Sequence, residues 1–276
     1  MQAATLEDLA RKRDDDIDVA LGAALIARDV YGNLDVPALL ARFDEMAAPL
    51  FGARLEELSP HAQATALGHH VYETCAFRGN EEDYYDPRNS LLPDVVERRL
   101  GIPITLGIVY CEIARRVGVR AHGVAFPGHF LVRIDRPGPG APLIVDPFFG
   151  GRVLDETSIT RLLRRALGPN EELTPRHIAA APPRAILVRI LTNLKAIHLT
   201  RGDRARAHLA LDRIVSLTPD ASGALRERGL LAARLGAVES ARADLSRVLE
   251  LEPGASDAPV LQRELAELGK VRRSLN

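Results

Sequence analysis

Tryptophan is absent from this chain of 276 residues, and cysteine occurs only at Cys75 and Cys111. Two thiols exclude a disulfide framework and a cysteine-built zinc site. Lysine is nearly as scarce, confined to Lys12, Lys195 and Lys270, with arginine supplying the other cations. Neither sign of charge dominates: 36 basic against 37 acidic side chains leave a net charge of −1, which speaks against a nucleic-acid partner. Long apolar runs are missing as well. Mean hydropathy is −0.04, and no apolar stretch reaches the roughly 18 residues that a membrane span requires. The opening MQAATLEDLARKRDDD is charged where a secretory signal would be apolar, so the expectation is a cytoplasmic protein. What is present, 46% hydrophobic and 26% charged residues, is ordinary for a globular chain, and the length allows two domains.

The charge is uneven along the chain. From Arg184 onward there are 16 basic and 11 acidic residues, a balance of +5, which leaves −6 for the first 183. A break in composition, Ala179-Ala180-Ala181-Pro182-Pro183, falls at the same place. The expected division is therefore 1–178 and 184–276. Within the second part Gly202 and Gly236, Ala207 and Ala241, Leu211 and Leu245, Leu217 and Leu251, and Pro219 and Pro253 are each 34 residues apart. Five matched positions in one register, on a helical apolar pattern that ends in proline, resemble tetratricopeptide repeats. Two repeats are expected, with Arg184–Thr200 as the first helix and Pro259–Val271 as a closing helix. So short an array reads either as a stabilising helical cap that leans on the first domain or as a receptor for a protein or peptide.

The first hundred residues carry helical spacing over Asp16–Tyr31, Val36–Leu50, Pro60–Phe77 and Leu91–Leu100, the last with Ser90 as its expected N-cap. Pro103–Val117 predicts a further helix, ended by Gly118. Short strands are then expected at Ala121–Phe126, Phe130–Asp135 and Leu143–Val145, the last two joined as a hairpin through Arg136–Gly140. Helices first and antiparallel strands after them give the α+β class.

The stretch Gly101-Ile102-Pro103, the helix to Val117-Gly118-Val119, Pro127-Gly128-His129-Phe130 and Ile144-Val145-Asp146-Pro147 resembles the transglutaminase-like, papain-like core with its small antiparallel sheet. The resemblance implies a cysteine at a helix start, a histidine on the next strand and an aspartate on the one after. In such a thiol enzyme the helix N-terminus lowers the thiol pKa, the imidazole takes the proton and the carboxylate fixes its tautomer. His129 and Asp146 match the histidine and the aspartate. The nucleophile position falls on Pro103, which has neither a sulfur nor the backbone N–H that a developing oxyanion requires. The wider set Asn89-Ser90-Leu91-Leu92-Pro93, Arg98–Leu106, Pro127–Leu131 and Asp146–Gly151, followed by two repeats, is similar to the bacterial SirB-type family. Its members are described as regulators of sirC expression with transglutaminase-like and tetratricopeptide regions.

Other residues have two readings each. His129 and Asp146 either brace the strands or line a polar pocket, to which Asn89 would add an amide or merely cap a turn. Tyr84 and Tyr85 would rim that pocket or pack under a loop. Thr105, about 200° around the helix from Pro103, reads as a first-turn hydrogen-bonding residue. Cys111, eight residues along, reads as a small buried hydrophobe, and Cys75 lies at the end of an earlier helix. His69 and Glu73 stand one turn apart without a third metal ligand, and Phe148–Gly151 is a turn without the helix start of a phosphate cradle. No cofactor is expected. Two functions stay open: a non-catalytic binding or regulatory protein, and a cysteine-independent hydrolase or acyltransferase that pairs His129 and Asp146 with another nucleophile such as Thr105, Ser90 or Cys111.

Overall fold

The computed structural model describes residues 5–136, 138 and 140–275, with side chains described through Lys270. Met1–Ala4, and Pro137 and Pro139 of the expected hairpin loop, lie outside the described residues. The fold is α+β, and the chain divides into two compact units. One is Arg13–Ile190; the other joins the N-terminal helix α1 (Leu6–Ala10) to the helices from Leu191 onward. The division falls inside α8 (Pro183–Thr200) rather than in the Ala179–Pro183 break. Local packing explains why the start of α8 stays with the first unit. A Cβ built on Gly22 would meet Leu187 at 2.5 Å, and one on Gly123 would meet Ile186 at 3.2 Å.

In the first unit, short polar side chains start the helices. Asp18 and Asp35 accept from Leu21 N and Ala38 N at 2.9 Å ahead of α2 (Val19–Tyr31) and α3 (Val36–Ala47), and Ser59 does the same for α4 (Pro60–Gly68). The helix expected from Asp16 begins at Val19, and Asp16 closes a separate 3-10 turn, Asp14–Asp16. The helix expected to run to Phe77 instead changes at His69–Thr74 into a π-type turn. Strands β1 (Arg78–Gly79) and β2 (Leu100–Gly101) form a two-residue parallel pair around α5 (Leu92–Arg98). Ser90 does not cap α5. It sits in the preceding 3-10 turn, Pro87–Ser90, and Leu91 takes the cap position without a side-chain bond.

Helix α6 (Pro103–Arg116) is buried along most of its length and lies on the four-stranded antiparallel sheet β3 (Ala121–Val124), β4 (Leu131–Ile134), β5 (Leu143–Asp146) and β6 (Arg152–Leu154), ordered as in the chain. Pairing of Gly123 with Val132 and of Val132 with Val145 sets the register. Side chains alternate between the two faces. Val132 meets α6 at Gly107, while Val124, Leu131, Ile144 and Leu154 form a cluster with Ile159 and Leu163 of α7 (Glu156–Leu167). The sheet is thus covered on both sides, which is why β5 is buried at all four positions.

The second unit is the expected helical array: α9 (Arg204–Leu217), α10 (Ser222–Arg234), α11 (Val238–Leu251) and the closing α12 (Ala258–Leu275). Ala207, Leu211, Ala241 and Leu245 are all buried. Arg228 of α10 binds Asp212 of α9 and Asp244 of α11 at 2.7 Å, holding neighbouring helices in register.

Phe130, 1% exposed, fills the space left by two glycines: a Cβ on Gly107 would stand 2.6 Å from its ring and one on Gly123 2.4 Å. Neither ring edge can yield, so Gly107→Ala and Gly123→Ala should each lower stability by about 1–3 kcal/mol. Gly223→Ala, where the added carbon meets nothing within 4 Å, should leave it unchanged or higher. Urea denaturation midpoints check both expectations.

Candidate functional site

Asp146 ends β5 and is 1% exposed. Its Oδ1 accepts from the backbone N–H of Phe148 at 3.0 Å and of Phe149 at 3.4 Å, which closes the turn that follows the strand. Its Oδ2 lies 3.0 Å from His129 Nε2. A carboxylate only accepts, so the Nε2 proton is donated to Asp146 and Nδ1 of the neutral ring carries a lone pair. Among the described residues Nδ1 has no hydrogen-bond partner, and the side chain is 14% exposed.

His129 lies just outside the strand expected to carry it. It ends the turn from Phe126, where His129 N–H donates to Phe126 O at 3.0 Å, and β4 begins at Leu131. Pro127 and Gly128, the latter at φ +67°, supply the turn chemistry and end pairing before the histidine.

Pro103 is buried at the first position of α6. It shares a helix face with Gly107, four residues on, which receives Phe130 next to His129. Thr105 is fully buried and occupied. Its Oγ1 accepts from Ile102 N–H at 3.2 Å and donates to Asn89 O at 2.7 Å. Asn89, also fully buried, spends its amide on the chain: Nδ2 donates to Asp83 O at 2.7 Å and Tyr84 O at 3.2 Å, and Oδ1 accepts from Asn80 Nδ2 at 3.0 Å. Both residues therefore lie in a bonding network that supports the Tyr84–Tyr85 loop, rather than at the imidazole.

No serine, threonine or cysteine side chain hydrogen-bonds to His129 among the described residues. Ser90 Oγ is buried without a partner. Cys111 lines a groove of about 1080 Å³ with Asp14, Glu112, His122 and Ile186, a set that includes neither His129 nor Asp146. Burial, with the Glu112 charge beside it, pushes the Cys111 thiol pKa up. Cys75 Sγ stands 3.5 Å from His70 Nε2, and burial raises its pKa against the pull of Arg99. His69 and Glu73 lie in the π-type turn, and no group of metal-ligating side chains occurs among the described residues.

Beside the His–Asp pair runs a chain of rings that sequence reasoning only half finds. Tyr85 and Tyr84 meet edge-on at 5.3 Å, Tyr84 and Phe148 at 5.9 Å, Phe148 and Phe149 at 5.1 Å, and Phe149 lies 6.5 Å from the His129 ring. Tyr85, Tyr84 and Phe149 are exposed, at 71%, 41% and 50%. The pair Phe148-Phe149 is visible in the sequence only as part of a turn. Tyr72 goes unmarked there too; it stacks at 6.5 Å on Tyr110, and burial, with Tyr110 and Asp146 nearby, raises its pKa.

Residues 37–192 match the transglutaminase-like superfamily and residues 194–266 match tetratricopeptide repeats. These matches, a helix start and a His–Asp pair on a small sheet followed by a helical array, define the class: a transglutaminase-like protein with appended repeats. The chain belongs to the UPF0162 family. It is 39% identical over 269 residues to a UPF0162 protein of Xylella fastidiosa, covering 96% of this chain and 94% of the relative. A UPF0162 protein of Pseudomonas aeruginosa is 31% identical over 229 residues, 83% of each chain. Human F-box only protein 21 is 31% identical over 164 residues, which is 56% of this chain and 25% of that protein. No solved structure matches.

Asp146→Ala removes an acceptor from two backbone N–H groups and one imidazole and should cost about 2–4 kcal/mol in a urea titration. Asp146→Asn keeps Oδ1 as acceptor and should cost less. Its amide donates toward Nε2, so the ring proton moves to Nδ1, a change visible in the imidazole ¹⁵N shifts. With both thiol pKa values raised, iodoacetamide at pH 7.5 should modify native Cys75 and Cys111 at least tenfold more slowly than a free thiol, the rate rising with pH.

Proposed function

We propose that this protein is a non-catalytic binding or regulatory protein whose transglutaminase-like domain recognises a protein or peptide partner, with the repeats as a second recognition surface. The observation that carries this reading is the occupancy of the α6 start. Pro103 stands where the superfamily places its nucleophile, Thr105 Oγ1 is bonded to Asn89 O and Cys75 Sγ lies against His70, and none of Thr105, Ser90, Cys75 and Cys111 hydrogen-bonds to His129 among the described residues. A base and its orienting carboxylate are left with no thiol or hydroxyl to activate, while the imidazole edge and the exposed rings remain available for contact.

Tetratricopeptide repeats generally mediate protein–protein interaction, which supports a protein partner. The similarity to SirB-type regulators fits the same reading, since expression can be controlled by binding alone. On this reading the protein works in the cytoplasm, without nucleic-acid or membrane contact; no helix among the described residues is long and apolar enough to cross a membrane. His129 and the rim residue Tyr85 make the binding surface, Asp146 orients the imidazole from behind, and Asn89 and Thr105 hold the site in shape.

Intact-mass analysis after incubation with an electrophilic thioester probe tests the claim. The expected result is no adduct on the native protein. An adduct lost on His129→Ala would establish the hydrolase or acyltransferase instead. In parallel, crosslinked capture from a bacterial lysate should retain a partner on the wild-type protein and lose it on His129→Ala and Tyr85→Ala at unchanged melting temperature.

A further inference from the structure

Arg189 lies in the α8 segment that packs with the first unit. Its guanidinium donates through Nη1 to Phe126 O at 3.3 Å. The same oxygen accepts His129 N–H at 3.0 Å, so the guanidinium stands against the turn that carries the histidine. Its central carbon lies 5.8 Å from the centre of the Phe130 ring. Tyr84 is close enough to act on its charge, and the rings of Tyr84, Phe148 and Phe149 lead from there back to His129.

Among the described residues Arg189 lacks an anion, as does Arg99, which rests on Met46 Sδ and the Phe77 ring; Arg189 alone of the two stands against the turn that carries His129. Arg116, Arg133, Arg184 and Arg228 each pair with a carboxylate, at 2.6, 2.7, 2.7 and 2.7 Å. Among the described residues Arg189 has no acidic partner; a neutral carbonyl and a ring face are its contacts. It is nevertheless half-buried, and burial pulls its pKa down. A cation held out of water without a counter-charge carries a desolvation cost that an incoming anion would offset.

We propose that Arg189 is the anion-recognising residue of the His129 site, and that the ligand is a peptide presenting a carboxylate next to an apolar side chain. The planar guanidinium fork matches a carboxylate. One cation balances a monoanion, whereas a phosphate dianion would need a second. The exposed rings offer the apolar wall, and His129 Nδ1, a free acceptor, is placed to take a peptide N–H. The proposal rests on the reading of this site as a binding site and adds the chemistry of what it binds.

Peptide arrays in matched pairs provide the test: free C-terminal carboxylate against amide, and internal Glu against Gln, each flanked by Leu or Phe, probed with wild-type protein, Arg189→Gln and Arg189→Met. The wild type should favour carboxylate forms at least tenfold, and both variants should lose that preference. Inorganic phosphate at matched ionic strength should not displace the peptides. Because the half-buried charge has no acidic partner, Arg189→Met should keep or raise the melting temperature of the free protein. Equal retention of acid and amide forms, a preference that survives Arg189→Gln, displacement by phosphate, or a fall in melting temperature in both variants would overturn the proposal. Partner capture kept by Arg189→Gln and lost by His129→Ala would overturn it while leaving the binding reading in place. A covalent adduct with the thioester probe would remove that reading itself.

Discussion

One buried carboxylate ties the site to the sheet. Asp146 is the last residue of β5, and its two oxygens face in different directions: one holds the backbone of the next turn, the other the imidazole of the turn before β4. Each bond is made to an ionised group in a water-poor setting, so each is stronger than a neutral surface bond. The turn it closes places Phe148 against β1, where a Cβ on Gly79 would lie 2.6 Å from the ring, and leaves Phe149 outside beside His129. The pair therefore has an architectural task whatever the chemistry.

Pro103 is a local success of helix building. At the first position of α6 its missing N–H leaves no bond unmade, and its fixed φ suits the helix start. On the proposed non-catalytic reading, the same two properties leave that position without a nucleophile and without an oxyanion donor.

Much of this was legible from the chain alone, for identifiable reasons. The 34-residue register marks the repeat helices because Ala207 and Ala241, with Leu211 and Leu245, are buried at matching positions of α9 and α11. The helix from Pro103 follows from its apolar density, and the α+β order from the change of period after Gly118. Other features carry weaker signals. Two-residue strands such as β1 and β2 have no period to detect. The π-type turn at His69–Thr74 keeps helical spacing while changing its bonding. Ser90 has the right residue type for a cap but meets a backbone already turned by Pro87. Helix α7 was there to be read in Asp155, Ile159, Leu162 and Leu163. Arg189 was hidden by its address: it falls within a helix whose later half belongs to the repeats, and only tertiary packing assigns its first turns to the other unit.

Asn89 carries a further consequence. Its amide is bonded to the 80s loop at three places, and its carbonyl is bonded to Thr105 at the start of α6. The loop bearing Tyr84 and Tyr85 is thereby riveted to the helix from below. Its rings are arrayed before any visitor arrives, and an encounter there forfeits little chain freedom. The surface behaves as a mould already set rather than one that hardens around its cast.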